Sequence, residues 1–314
     1  MHSTLSVTAT RCARLGLALI VTLLPMAHAR AADGAWRELA AMPTPRSETA
    51  AAVIGQSVYV PGGLTRVRAL EAFDAANGSW HTLAQMPAGR HHCAVAAHGN
   101  RVYVLGGGDA AWRPTVNAWT YDPRNDRWTA IADLPEARIA GAAVVLGAHL
   151  YVVGGAGPGG SLLRYDPASD SWQRFAPMQQ RREHNAAAVL DGKIYAIGGR
   201  WESVGTLASV EVYDPKTDRW SAGPALRTAR AGHAAVTLAD KIYALGGEVL
   251  ETHSALKEVE VLAAGASAWA AAEALPLALH GIPAAAVDGQ LYVLGGSERA
   301  GGVVNNGRVF RLKP

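Results

Sequence analysis

The sequence predicts an all-β fold, a six-bladed propeller with four-stranded blades and a ring closed by its N-terminal strand. Three periodic landmarks predict it. Glycine pairs begin at Gly62, Gly106, Gly154, Gly198, Gly246 and Gly295, at intervals of 44, 48, 44, 48 and 49 residues. Trp36, Trp80, Trp128, Trp172, Trp220 and Trp269 repeat those intervals, each 26 residues before a glycine pair. Tyr59, Tyr103, Tyr151, Tyr195, Tyr243 and Tyr292 each stand three residues before theirs. A period of this length marks an array of supersecondary units, each unable to bury its faces alone.

The elements follow in chain order. Residues 1–29 read as a secretory signal peptide. Arg11 and Arg14 precede the apolar run Leu15 to Met26, and Ala27-His28-Ala29 matches a small-x-small cleavage site. The run is short for a bilayer span, so the mature protein is expected outside the cytoplasm, periplasmic or extracellular, without a membrane span. Residues 30–314 then form one propeller domain, expected to be monomeric. Trp36 opens a fourth strand with no first three before it. Each later unit has a small apolar first strand, as in NAAAVL and HAAVTL. The second strand is aromatic and β-branched and ends at glycine, as in VYVLGG and IYALGG. A third strand ends in a turn, as in YDPRNDRW and YDPKTDRW, where Asp-Pro supplies a fixed φ and polar caps. The fourth starts at the tryptophan. The chain ends after a third strand, GRVFRL, so the strand at Trp36 is left to complete the last blade. Four-stranded sheets packed radially satisfy all of these units, with alanines crowded at the axis and aromatic rings filling the space between blades.

Composition narrows function mainly by exclusion. Charged residues are 18% of the chain. The net charge of +3 falls to +1 without residues 1–29, which gives no electrostatic footprint for nucleic acid. The two cysteines, Cys12 and Cys93, cannot build a disulfide framework. Cys93 reads as a small buried residue.

The glycine pair, the tyrosine before it, the arginine opening each first strand and the spaced tryptophan resemble the kelch-repeat family over residues 36 to about 312. The family's exported bacterial members are the nearest in kind. The resemblance implies the propeller and a binding surface around the mouth of its axial channel. All length variation falls between the second and third strands. From first glycine to third-strand aromatic position the spacings are 11, 15, 11, 15, 16 and 15. These loops, with those leading into each first strand, form one variable face.

Arg46, Arg90, Arg138, Arg182 and Arg230 stand 16 residues before their glycine pairs; the sixth position is Leu279, beside His280. In kelch adaptors for acidic peptides such arginines contact carboxylates, and another follows its glycine pair as Arg200 does here. The resemblance therefore implies a ligand site of Arg46, Arg90, Arg138, Arg182, Arg230 and Arg200, which His280 joins from beside the sixth repeat position, for a small anionic ligand or a protein loop. The same arginines could instead bond loop carbonyls as scaffold. His91, His92, His184, His233 and His280 fall at different offsets from the arginines and are expected as loop-bonded histidines. Glu48 and Glu183 lie near the arginines, and Trp112, Arg113, Trp201 and Glu202 lie in the variable loops. No catalytic residue, metal ligand or cofactor is assigned. No phosphate loop, zinc spacing or nucleophile elbow is present, and no tyrosine is followed by histidine, so the copper-ligand pair of galactose-oxidase-type members is missing. The expected function is an exported binding module. The alternative is a mutarotase or epimerase of an anionic sugar, resembling the periplasmic sialic acid mutarotase, in which arginine holds the carboxylate and Glu48 or Glu183 moves the proton.

Overall fold

The computed structural model describes residues 1–2, 34–65, 68–158, 160–302 and 304–314. The signal-peptide expectation and Cys12 lie outside the described residues. Among those described, no helix is long and apolar enough to cross a membrane.

Six four-stranded antiparallel sheets form the blades. In blade 1, strands a to d are Ala52–Ile54, Ser57–Pro61, Leu70–Asp74 and Ser79–Leu83. Blades 2, 3, 4 and 5 repeat that order with their a strands at Ala94–His98, Ala142–Leu146, Ala186–Leu190 and Ala234–Leu238. Blade 6 contributes a, b and c as Ala284–Val287, Gln290–Leu294 and Val309–Leu312. Its fourth strand is Arg37–Leu39, paired antiparallel with strand c in the register Glu38 to Phe310. The ring closes as the unmatched Trp36 predicts. The Glu38 carboxylate clasps the Arg308 guanidinium at 2.7 Å across that seam.

Each a strand touches the a strand of the next blade, and the sixth touches the first. Alanine dominates there because six strands must approach one axis. Farther out, space widens and rings fill it. Trp80, Trp128, Trp172 and Trp220 stack on Phe73, Tyr121, Tyr165 and Tyr213 at centroid distances of 5.0–5.2 Å. Every repeat tryptophan donates its indole N–H to a carbonyl of the preceding blade, as Trp128 does to Ala84 and Trp36 to Glu273. The turn aspartates add a second tie. Asp126 accepts from the Tyr121 hydroxyl in its own blade and from the Ala84 amide in the one before. The repeat therefore encodes the joints between blades as well as the blades.

The variable b–c loops gather on one face. Two of them form small hairpins, Arg200–Trp201 with Gly205–Thr206 and Glu248–Val249 with Ser254–Ala255. Glu251 of the second accepts from the Thr206 amide and hydroxyl of the first, and Glu248 accepts from the Gly301 amide of the third. Blades 4, 5 and 6 thus share a continuous wall around the channel mouth.

Candidate functional site

The chain entering each a strand passes the mouth in a left-handed turn. The residues two positions after the repeat arginine are Glu48, His92, Ala140, His184 and Gly232, with Gly281 in blade 6. All six have φ between 49° and 59°. Left-handed backbone is uncommon for residues with a side chain, and a surrounding network must hold it. Here the network is a closed belt. The amide of Glu48 donates to the Gly281 carbonyl, His92 to Glu48, Ala140 to His92, His184 to Ala140, Gly232 to His184 and Gly281 to Gly232, at 2.6–3.0 Å. Glycine at 281 also makes room, because a Cβ there would lie 2.6 Å from the Glu48 Oε1.

Below the belt the axial channel holds a cavity of about 150 Å³ lined by Glu48, His92, Cys93, His184, Asn185 and His233 among small residues. Glu48 is the hub of the polar cluster at its mouth. His92 Nε2 lies 3.0 Å from one of its oxygens and His280 Nδ1 3.1 Å from the other. Burial alone would raise this carboxyl, but the charge of His92 and hydrogen bonds from His280 and His92 outweigh it and hold Glu48 well below the usual range. Arg200 donates from Nε to Glu183 and from Nη1 to Glu248, both at 2.9 Å, and its Nη2 lies 3.2 Å from His184 Nε2. Burial opposes ionisation of Glu183, yet His184 and Arg200 bring its pKa down to about 2. His280 shows the reverse balance. Burial lowers it, but Glu48 and Glu248 raise it above the ordinary histidine value. His91 is pulled down to about 4 by burial and by His92 beside it. Trp112 covers the pair, with its ring centroid 4.4 Å from His91 and 5.3 Å from His92.

The arginines expected to ring the mouth are elsewhere. None of the five lines the cavity. Arg46, Arg138, Arg182 and Arg230 are at most 2% exposed, and Arg90 is half-buried. Each reaches back into its own blade. Arg182 donates to the Gly198 and Ser209 carbonyls and to Glu211 at 2.9 Å. Arg230 does the same with Gly246, Glu258 and Glu260, and Arg46 with Gly62, Ala69 and Glu71. Arg138 meets Glu136, and Arg90 meets Asn117 and lies over the Trp119 ring. These guanidiniums are occupied holding strand c to the a-strand entry. The picture of five of them facing one opening is corrected, because each is turned back and bonded inside its blade, four to a glutamate and Arg90 to a neutral amide.

Two expected site residues, Arg200 and His280, do reach the mouth. The histidines correct the sequence reading in the other direction. His92 and His184 share the offset of Glu48, and His91, Glu183 and His280 share the position before it. These two rings of positions bring together four imidazoles and two carboxylates, joined by Arg200 and Glu248 from the b–c hairpins. His233 stands deeper in the channel with neither ring nitrogen bonded, and burial with Arg230 and Arg182 nearby keeps it well below its ordinary pKa. Cys93 is a buried free thiol, pushed up to about 12 by burial, with Sγ 3.8 Å from the His91 carbonyl.

The model of the KLHDC2/KLHL20/DRC7 kelch-repeats domain family matches residues 32–155, and that of the kelch motif matches residues 181–227. The chain is a kelch-repeat β-propeller. A solved structure of YjhT has a TM-score of 0.75 at 17% identity, covering 86% of this chain and 95% of that one. At that identity the likeness speaks for the fold alone. No curated protein matches. A kelch propeller supplies a scaffold for binding and interaction, and the residues that differ from blade to blade in this one stand at the mouth just described.

Proposed function

We propose that this kelch propeller is an exported, monomeric binding module that takes an anionic, carboxylate-bearing ligand, or an acidic loop of a protein partner, at the mouth of its axial channel. One observation carries the location. Apart from Met1, the large apolar side chains exposed among the described residues are Trp112, Val204 and Val304, and all three stand on b–c loops around this mouth. They stand singly on three loops, and their confinement to one rim is what supports a contact surface there. Basic groups accompany them. Arg113 is paired with Asp109 in the open, the Arg181 guanidinium lies 4.4 Å over the Trp201 ring, and Arg200 lines the mouth.

Magnitudes decide which arginines a carboxylate would recruit. An exposed pair such as Arg113 with Asp109 contributes about 0–1 kcal/mol and exchanges partners readily. Breaking a buried pair such as Arg182 with Glu211 costs about 3–5 kcal/mol. The ligand therefore meets the rim arginines, and the ring within the blades stays closed.

A second reading, the anionic-sugar mutarotase, is favoured by the Glu48 carboxylate held between two imidazoles at the cavity. It ranks second because both candidate bases, Glu48 and Glu183, bind protons weakly, whereas general bases work best near the ambient pH. Calorimetric titration against sialic acid, other anionic sugars and acidic peptides tests the binding reading. Trp112→Ala is expected to weaken the strongest binder about tenfold or more, roughly 1.4 kcal/mol, with an unchanged melting temperature because Trp112 is 57% exposed. No binding to any anionic probe, or full affinity without Trp112, would overturn it. Faster exchange of the sialic acid anomers by NMR, slowed in Glu48→Gln, would instead establish the enzyme.

A further inference from the structure

We propose that Glu48, His92 and His184 form a binding site for a divalent transition-metal ion of the zinc type, at the mouth of the channel. The three residues offer one ligand atom each, all within 4.8 Å of one another. They come from blades 1, 2 and 4 and are fixed at equivalent steps of the main-chain belt, so their spacing is set by the fold rather than by mobile loops.

The hydrogen bonds around His92 leave a nitrogen without a proton. His91 Nε2 lies 3.1 Å from the Asp109 carbonyl, which can only accept, so this nitrogen carries the proton. His91 Nδ1 is then a lone pair. His92 Nδ1 lies 2.5 Å from it and must donate. That leaves the Nε2 of a neutral His92 bare, 3.0 Å from a Glu48 oxygen. Two lone pairs cannot face each other at this distance without a positive centre between them, either the proton of a charged His92, which is the state that holds Glu48 ionised in the empty site, or a metal ion that takes the proton's place. A metal ion satisfies both, and His91 then acts as the outer partner that fixes a ligating histidine's tautomer.

His184 supplies the third ligand. The ligating atom is Nε2, because the Arg200 guanidinium 3.2 Å from it can only donate and so faces its lone pair, while Nδ1 carries the proton 3.3 Å from a Glu183 oxygen. Arg200 keeps its bonds to Glu183 and Glu248 when its contact with Nε2 is given up. Local charge at this cluster favours a cation, since Glu48, Glu183 and Glu248 converge on the Arg200 guanidinium and the His280 imidazole, while the arginines proposed to meet an anion, Arg113 and Arg181, stand on the rim. One carboxylate with two imidazoles, leaving a coordination position toward the open mouth, suits zinc and its imidazole-preferring neighbours rather than calcium or magnesium. Cys93 stays outside the set, since its thiol points to the His91 carbonyl.

The test is titration of untagged propeller with Zn²⁺ alone, by calorimetry, and with Co²⁺ alone, by visible absorption. One ion per chain is expected, with the d–d bands of a low-symmetry nitrogen and oxygen site. His92→Asn and His184→Asn keep a residue that tolerates left-handed backbone, and Glu48→Gln keeps its shape. Each is expected to weaken Zn²⁺ binding by more than about 100-fold, and His91→Gln, which only positions His92, by about 10–100-fold. His253→Asn makes the same exchange at φ 51° on blade 5, outside the cluster, and is expected to change nothing. Melting curves without metal identify any variant that fails to fold, and the two asparagine variants and the glutamine variant stand in for one another. Absence of Zn²⁺ and Co²⁺ binding, or binding equally strong in folded His92→Asn and Glu48→Gln, overturns the site. The readout uses the metal alone, so it is independent of which ligand the mouth accepts.

Discussion

Deleting residues 30–42 lowers the melting temperature sharply and opens the last blade. The segment carries the fourth strand of blade 6, Arg37–Leu39, and the backbone bond from Met42 to the Gly307 carbonyl. It also removes Met42, which is 2% exposed in the cluster joining blades 6 and 1, and Leu39 and Trp36, which pack on clusters on either side of blade 6. Losing one buried methionine or leucine side chain costs about 2–5 kcal/mol, against a total stability of roughly 5–15 kcal/mol for a domain. The deletion also bares the edge of Val309–Leu312, which then offers unpaired backbone groups to other chains. Thermal unfolding followed by circular dichroism should show the loss, together with concentration-dependent aggregation. An unchanged curve would mean that the ring does not depend on its first strand.

Arg182→Ala destabilises the protein by about 3–5 kcal/mol, the range for stranding a buried charge. Glu211 keeps the amides of Gln179 and Gln180 but loses its guanidinium partner, and the Gly198 and Ser209 carbonyls lose a shared donor. Arg90→Ala costs less, about 1–2 kcal/mol, because its partners are a neutral amide and an indole face. Replacing Arg182 and Glu211 together by apolar residues recovers most of the loss. Denaturant midpoints at constant slope give these differences. A stability within about 1 kcal/mol of wild type for Arg182→Ala would show that this guanidinium is free to serve a ligand.

The blades and their closure were legible because the landmarks that hold them repeat six times. The unmatched strand at Trp36 and the last unit ending on its third strand together announced the seam. The role of the arginines was also written in the chain, but in a pairing between distant repeat positions. Two residues before the third-strand aromatic position stand Glu71, Glu211 and Glu260 in the blades of Arg46, Arg182 and Arg230. Trp119 takes that place in the blade of Arg90, which turns to cation–π contact. Leu163 takes it in the blade of Arg138, which turns to Glu136. Leu279 has no partner to find, and Arg308 in its blade turns outward to Glu38. In blade 6 both members of the pair are replaced, whereas in blades 2 and 3 only the glutamate is, and the arginine takes another partner within reach.

The cluster at the mouth was harder to see because symmetry hides it. Glu48, His92 and His184 differ in type while sharing one backbone position, so a search for a repeated side chain passes over them. The belt that unites them is made of main-chain bonds between blades, which no residue type announces. Only the left-handed turn leaves a trace, as Gly232 and Gly281 at the same step of blades 5 and 6.

The claim that the mouth binds ligand while the repeat arginines hold blades is tested most directly by a crystal structure of the propeller with the strongest anionic binder from the titrations. The predicted complex has the ligand at the mouth, against Trp112 and within reach of Arg200, with Arg182 still on Glu211 and Arg230 still on Glu260. A ligand carboxylate seated on the guanidiniums of Arg46, Arg182 or Arg230, with their glutamates displaced, would contradict it, as would a ligand bound at the opposite face beside the Asp122–Asp126 turn.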